Sequence, residues 1–183
     1  MPAIYLLRHG QADYQPIRSR GWPGATADLA PLSELGQRQA GQAARQARQL
    51  AGTGQIRLVS SPVTRALQTA GILAGHLGLS LTVEFDLREW LPDSTFSWHT
   101  HAEVRASVDD FERHDGEWPA GQQLRWEPLS QVQARAAAAL ARSAAGLDQD
   151  AVLIAVCHEM VIRAITGEPT TATGQFRLAP PSP

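Results

Sequence analysis

Lysine is absent, so all 16 basic side chains other than histidine are arginines. A lysine Schiff base and a P-loop lysine are therefore excluded, and any anion site must use guanidinium, imidazole or backbone N–H groups. One cysteine, Cys157, excludes an intramolecular disulfide framework and fits a reducing cytoplasm. Long apolar runs are missing too. The start, Met1-Pro2-Ala3-Ile4-Tyr5-Leu6-Leu7-Arg8, lacks the basic region and extended apolar stretch of a leader, so the chain reads as soluble and unexported. Nor does one sign of charge dominate. A formal net charge of −2 predicts no bulk attraction to nucleic acid or membrane.

What remains is a chain of 183 residues, 43% hydrophobic and 19% charged, enough to bury a core as one globular domain with at most a modest insertion. Ile4-Tyr5-Leu6-Leu7 is a buried-strand pattern that delivers Arg8, His9 and Gly10 at its end. Residues 11–32, rich in proline and glycine, read as a long loop. Ser33 can cap a helix running to about Leu50. Residues 56–60 form a second strand, Pro62 opens a helix through about Leu77, and residues 81–84 form a third strand. Between 90 and 128 the periodicity degrades around one helix near His101 to His114. Four of the five tryptophans fall there, namely Trp90, Trp98, Trp118 and Trp126, and the stretch reads as a lid insertion whose aromatics either pack or face the substrate. A helix from Leu129 to Ala145 follows. Residues 151–157, apolar on both faces, form a central strand that ends at His158, and a short helix from Met160 to Thr166 stops at Gly167. The remaining tail, 168–183, with Pro180, Pro181 and Pro183, reads as frayed. The alternation predicts a three-layer α/β fold: a mixed, mostly parallel sheet with helices on both faces and ligands at the carboxyl ends of the strands.

Three of those ends carry polar groups: Arg8 and His9, then Ser60 and Ser61 followed by Arg65, then His158. Two guanidiniums and an imidazole suit the oxygens of a phosphoryl group, because charge-assisted bonds hold the anion and stabilise its transition state. His9 is then free to attack phosphorus, and Gly10 lets the backbone approach closely.

These residues stand in Leu7-Arg8-His9-Gly10, in Leu32-Ser33-Glu34-Leu35-Gly36-Gln37-Arg38-Gln39-Ala40, in Ser60-Ser61-Pro62-Val63-Thr64-Arg65-Ala66-Leu67-Gln68-Thr69-Ala70 and in Val156-Cys157-His158. In that order, across roughly residues 3–167, they resemble the histidine phosphatase superfamily in its phosphoglycerate mutase-like branch. The resemblance implies that His9 becomes a phosphohistidine, that Arg8, Arg65 and His158 bind the phosphoryl group, and that no metal or other cofactor takes part. Leu87-Arg88-Glu89-Trp90 resembles the segment that supplies the family's acid. Glu89 is therefore the expected proton donor to the leaving oxygen, with Asp13 and Asp86 as substitutes. The expected activity is hydrolysis of a small phosphorylated metabolite, the alternatives being a phosphoglycerate mutase and a phospho-ligand binding module without turnover.

Several residues have plainer readings. Ser61 reads as a helix cap, and Gln11 and Asp13 as parts of a solvated loop. Cys157 and Arg163 match the Cys-x5-Arg spacing of thiol phosphatases, but 16 arginines in 183 residues produce that offset by chance in about one case in eleven. A buried, inert thiol is the better reading. His99, His101, Glu103 and His114 fit no common zinc spacing. Glu159 stands where the family usually has glycine; it is expected to point outward from a helix N-terminus, where the dipole tolerates a carboxylate.

Overall fold

The computed structural model describes residues 2–180; Met1 and residues 181–183, with the tail prolines Pro181 and Pro183, lie outside the described residues. Strands β1 (Ala3–Arg8), β2 (Ile56–Ser60), β3 (Leu81–Val83), β4 (Val152–Cys157) and β5 (Phe176–Leu178) form one sheet in the order β3-β2-β4-β1-β5. All pairings are parallel except β1 with β5. The central strand is β4, and all six of its residues are buried. Because side chains alternate across a strand, Val152, Ile154 and Val156 enter one core while Leu153, Ala155 and Cys157 enter the other.

A short helix α1 (Gln15–Arg18) and a 3₁₀ turn, Gly24–Leu29, give structure to the stretch that reads as loop in the sequence. Helices α2 (Glu34–Ala51) and α3 (Thr64–Leu77) cover one face of the sheet. The Ser33 hydroxyl accepts from Gly36 N–H and starts α2. Ala40, Ala43, Ala44, Ala47 and Ala51 form its buried stripe, small enough for close approach to the sheet. On the other face lie α5 (Leu129–Ala144) and α6 (Glu159–Thr166), together with the insertion that precedes α5 and its helix α4 (His101–Arg113). Trp90, Phe111 and Trp126 of this segment belong to the core, with ring centroids 5.4 and 5.3 Å apart in edge-to-face contacts. The insertion is thus anchored in the core on this face of the sheet.

The frayed reading of the tail is corrected at Phe176–Leu178, which pair antiparallel with Leu7, Leu6 and Tyr5. That three-residue strand has too little periodicity to be seen in sequence, and it exists because β1 would otherwise be an open edge. No described helix is long and apolar enough to cross a membrane.

Candidate active site

Register brings the polar strand ends level. Arg8 is opposite Cys157 and Ser60 is opposite Val156. Beyond those pairs, His9 N–H donates to Cys157 O at 3.1 Å, and Ser61 N–H to Val156 O at 2.9 Å. His9, Ser61 and His158 therefore leave three adjacent strands together.

His9 is buried, and both ring nitrogens have partners that fix its tautomer. The Nδ1 lies 2.7 Å from Gly10 O, which can only accept, so Nδ1 carries the proton. Arg65 Nε, which can only donate, lies 3.1 Å from His9 Nε2. The Nε2 lone pair consequently faces the guanidinium. Burial, followed by the positive charge of Arg65, lowers the pKa of His9 to about 3, so the ring is neutral near pH 7.

The backbone around His9 is equally constrained. Gly10 N–H donates to the Thr69 hydroxyl at 3.0 Å, which itself donates to Arg65 O at 2.8 Å. A Cβ on Gly10 would collide with Gly36 O, and one on Gly36 with Gln11 O. These reciprocal contacts seat the loop after β1 against the first turn of α2, which only paired glycines permit.

His158 is fully buried, its ring centroid 5.1 Å from that of His9. Its Nε2 lies 2.7 Å from the Ser61 hydroxyl and its Nδ1 lies 3.5 Å from Arg65 NH2. Desolvation first, then Arg65 and the other nearby charges, holds its pKa well below the ordinary histidine value. Ser61 is not the cap expected from sequence, because Val63 occupies the N-cap of α3 with no side-chain cap bond; the Ser61 hydroxyl accepts from Val63 N–H at 3.3 Å and fixes the imidazole.

Glu89 completes the group from the rim, with Oε2 3.7 Å from His158 Nδ1 and Oε1 accepting from Trp90 N–H at 2.9 Å. Desolvation raises the carboxyl's pKa, opposed first by Arg65. Its backbone is clamped by residues with no signature in the sequence. Arg135 donates to Asp86 O, Arg88 O and Glu89 O at 2.5, 2.8 and 3.3 Å, and to both carboxylate oxygens of Glu127 at 2.7 and 3.0 Å. Arg88 makes a second two-pronged bond to Glu127, and Trp90 Nε1 donates to Glu127 O at 2.6 Å. Asp28, also unforeseen, lies 3.3 Å from Arg65 NH1.

Arg8 belongs to the same charge system, since its guanidinium depresses the pKa values of His9, His158 and Glu89. Its contacts, however, correct the expectation for Glu159. That carboxylate does not point outward: Oε1 lies 2.9 Å from Arg8 NH1, which also donates to Thr171 O at 2.5 Å. The local ion pair outweighs solvation at a helix terminus, and the segment after α6 turns back to help form it. Arg8 Nε is buried with no partner.

The other candidates lie elsewhere. Asp13 accepts from Gln15 N–H at the start of α1, Asp86 pairs with Arg142, and Gln11 bonds Gln39 and Ser33. Cys157 points into the α5–α6 core, where burial pushes its thiol pKa up, and Arg163 is committed to Glu112. Glu103 closes a capping box with Thr100. Among the described residues no three His, Cys, Asp or Glu side chains group as a metal would require. The insertion does reach the site, and Trp90 and Trp98 line a cavity of about 440 Å³ beside Arg65 and Glu89, whereas Trp118 and Trp126 pack internally.

Fold and site together define an α/β protein with two neutral histidines and two arginines at the carboxyl ends of a parallel sheet. The sequence profile of the histidine phosphatase superfamily (branch 1) matches residues 4–177, and the chain belongs to that superfamily, in its phosphoglycerate mutase-like branch. Among solved structures, a mycobacterial glucosyl-3-phosphoglycerate phosphatase complexed with VO3 is similar at 29% identity and a TM-score of 0.64, over 90% of this chain and 79% of that one. A protein described as mycobacterial hydrolase 1 is similar at 30% identity and a TM-score of 0.64, over 89% of this chain and 78% of that one. YhfR of Bacillus stearothermophilus, at 24% identity and a TM-score of 0.63 over 90% of this chain and 78% of that one, shares the fold. No curated protein matches the sequence.

Proposed function

We propose that this protein is a metal-independent phosphatase that hydrolyses a small phosphomonoester through a phosphohistidine on His9. The observation that carries the reading is the tautomer of His9: a neutral ring with its Nε2 lone pair directed at a guanidinium. An arriving phosphate dianion takes over the Arg65 N–H bonds through its oxygens, which releases the lone pair for in-line attack on phosphorus. The N–P bond forms as the P–O bond to the alcohol breaks, and the Glu89 carboxyl, whose burial favours its protonated form, gives its proton to the departing oxygen. Water then attacks phosphorus, its proton passes to the Glu89 carboxylate, the N–P bond breaks with its electron pair returning to His9 Nε2, and inorganic phosphate leaves. Ser61 supports both states of His158. It accepts from Nε2–H while Arg65 faces Nδ1, and it can donate to Nε2 when Nδ1–H turns to a phosphoryl oxygen.

The similarity to a named phosphatase supports hydrolysis over transfer between hydroxyls. The binding-module reading has its own observation, the Arg8–Glu159 pair, which occupies one arm of the anion clamp. Quenched single-turnover reactions separate the readings. Hydrolysis by the proposed route gives free phosphate and an acid-labile, base-stable phosphoenzyme. His9→Ala abolishes both, Cys157→Ser keeps both, and turnover persists in EDTA. A mutase moves phosphate between hydroxyls without releasing it, and a binding module does neither.

A further inference from the structure

The cavity beside the proposed phosphate site is made for the rest of the substrate, and its chemistry is one-sided. Arg65, Glu89 and Asp28 stand at one end. Beyond them the walls are Trp22, Trp90, Trp98, Val104, Val108 and Met160. Trp22 and Val108 remain 44% and 39% exposed, large apolar side chains turned to a hollow instead of a core.

The wall is also pinned in place. Gly24 N–H donates to His99 O at 3.1 Å, and a Cβ on Gly24 would strike the Trp98 indole. Phe96 stacks on the Trp98 ring, centroids 5.8 Å apart at an interplanar angle of 27°. The 3₁₀ turn and the insertion therefore meet across the cavity and hold an aromatic surface ready.

Charge is scarce in the apolar part. Apart from the rim imidazoles of His99 and His101, Arg18 is the one further cationic side chain in the lining among the described residues. Its guanidinium is spread over the Tyr14 ring at 5.9 Å. A second carboxylate or phosphate on the substrate would find no paired arginines comparable with those at the phosphate end.

We infer that the substrate is a phosphomonoester of a bulky apolar alcohol, with an aromatic ring preferred, and not a short acid phosphate such as a phosphoglycerate. The inference takes the ester from the phosphatase reading and the alcohol from the cavity. Ring faces stack on the tryptophans, and affinity grows with the apolar area removed from water. A three-carbon acid leaves that wall uncovered and brings a second negative charge that only Arg18 and the rim imidazoles could meet.

The test compares 2-(1-naphthyl)ethyl phosphate, ethyl phosphate and 3-phosphoglycerate on the full chain. The first two share a primary alkoxide leaving group, so their ratio reports binding of the alcohol portion. The expected kcat/KM ratio is about thirtyfold or more in favour of the naphthyl ester, with phosphoglycerate no better than ethyl phosphate. Trp98→Ala shrinks the naphthyl-to-ethyl ratio by about tenfold. A ratio near one, or a preference for phosphoglycerate, overturns the inference while leaving phosphatase activity standing. A second arm needs no turnover: tryptophan fluorescence titration with 2-(1-naphthyl)ethylphosphonate and ethylphosphonate. A Kd ratio of the same order supports the cavity's assignment even if no ester is hydrolysed, which would defeat only the phosphatase reading. Equal Kd values defeat the cavity's assignment.

Discussion

Glu159 lies within 2.9 Å of the Arg8 guanidinium, so an arginine expected to bind phosphate rests on an internal carboxylate. The two side chains are 23% and 31% exposed, which leaves the pair partly screened. A phosphoryl group held by Arg8, as the proposed function has it, must compete with Glu159. Glu159→Gln removes the competing charge and should tighten vanadate inhibition by about three- to tenfold. Weaker inhibition in this variant would mean that Glu159 holds Arg8 in its working position.

Glu89 can be tested through the basicity of the leaving group. With alkyl phosphates the departing oxygen needs a proton, with nitrophenyl phosphate hardly at all. Glu89→Gln should slow the alkyl ester by ~10²–10⁴-fold and the nitrophenyl ester far less. Because the acid works while protonated, kcat/KM for the alkyl ester should fall as pH rises through the elevated pKa of Glu89. Equal losses on both esters would transfer the acid role to another group.

The Arg135–Glu127–Arg88 clamp carries a separate expectation. Glu127 is 6% exposed and neutralises two guanidiniums that grip the backbone of residues 86–89. Glu127→Ala leaves buried positive charge unpaired and should cost about 3–5 kcal/mol in unfolding free energy, measured by urea denaturation. Arg135→Lys keeps the charge and loses the fork. In that variant the alkyl ester should suffer more than the nitrophenyl ester; losses that do not depend on the leaving group would make the clamp purely structural.

Acid should weaken the fold before its carboxylates titrate. The pKa of His9 falls to about 3 in the folded state from 6.5 in the unfolded one, and that of His158 is depressed as well. The unfolded chain therefore takes up these protons first, and stability drops as pH falls from 6.5 toward 3. Between pH 6.5 and 5, well above the range of ordinary carboxylates, the loss should be on the order of 1 kcal/mol per pH unit for each buried imidazole. His9→Gln should reduce that slope by about half; an unchanged slope in chemical denaturation would show that His9 is not buried in its neutral form.

How far the sequence could be read depended on whether a feature was local. The β4 strand and the alanine stripe of α2 are legible because burial imposes a period on consecutive residues. Arg8, His9, Arg65 and His158 are legible as a set through their ordered motifs; the structure brings His9, Arg65, His158 and Glu89 together, whereas the Arg8 guanidinium is held by Glu159 and Thr171 O. Glu159 was misplaced because a helix-terminus argument considers only its own helix, whereas its partner comes from β1. Ser61 looks like any serine before a helix until the His158 ring is positioned beside it. Glu127 and Arg135 carry no motif at all, and their roles arise from carbonyls exposed in a distant loop. The pairing of Phe176–Leu178 with β1 was hidden by its brevity, and the cavity wall by the want of periodicity in the insertion.

The placement of β1 has a consequence for how the molecule is made. β1 pairs with β4 and β5, which follow it in the chain after β2 and β3, and His9 N–H finds its acceptor on Cys157. Until β4 has emerged, β1 has no sheet to join, while β2, α3 and β3 can begin to associate. The histidine proposed as nucleophile is thus made before β2 and β3 but is put in place only after β4. A nascent or C-terminally truncated chain carries an unpaired apolar strand, open to chaperones and to aggregation, in place of a working site.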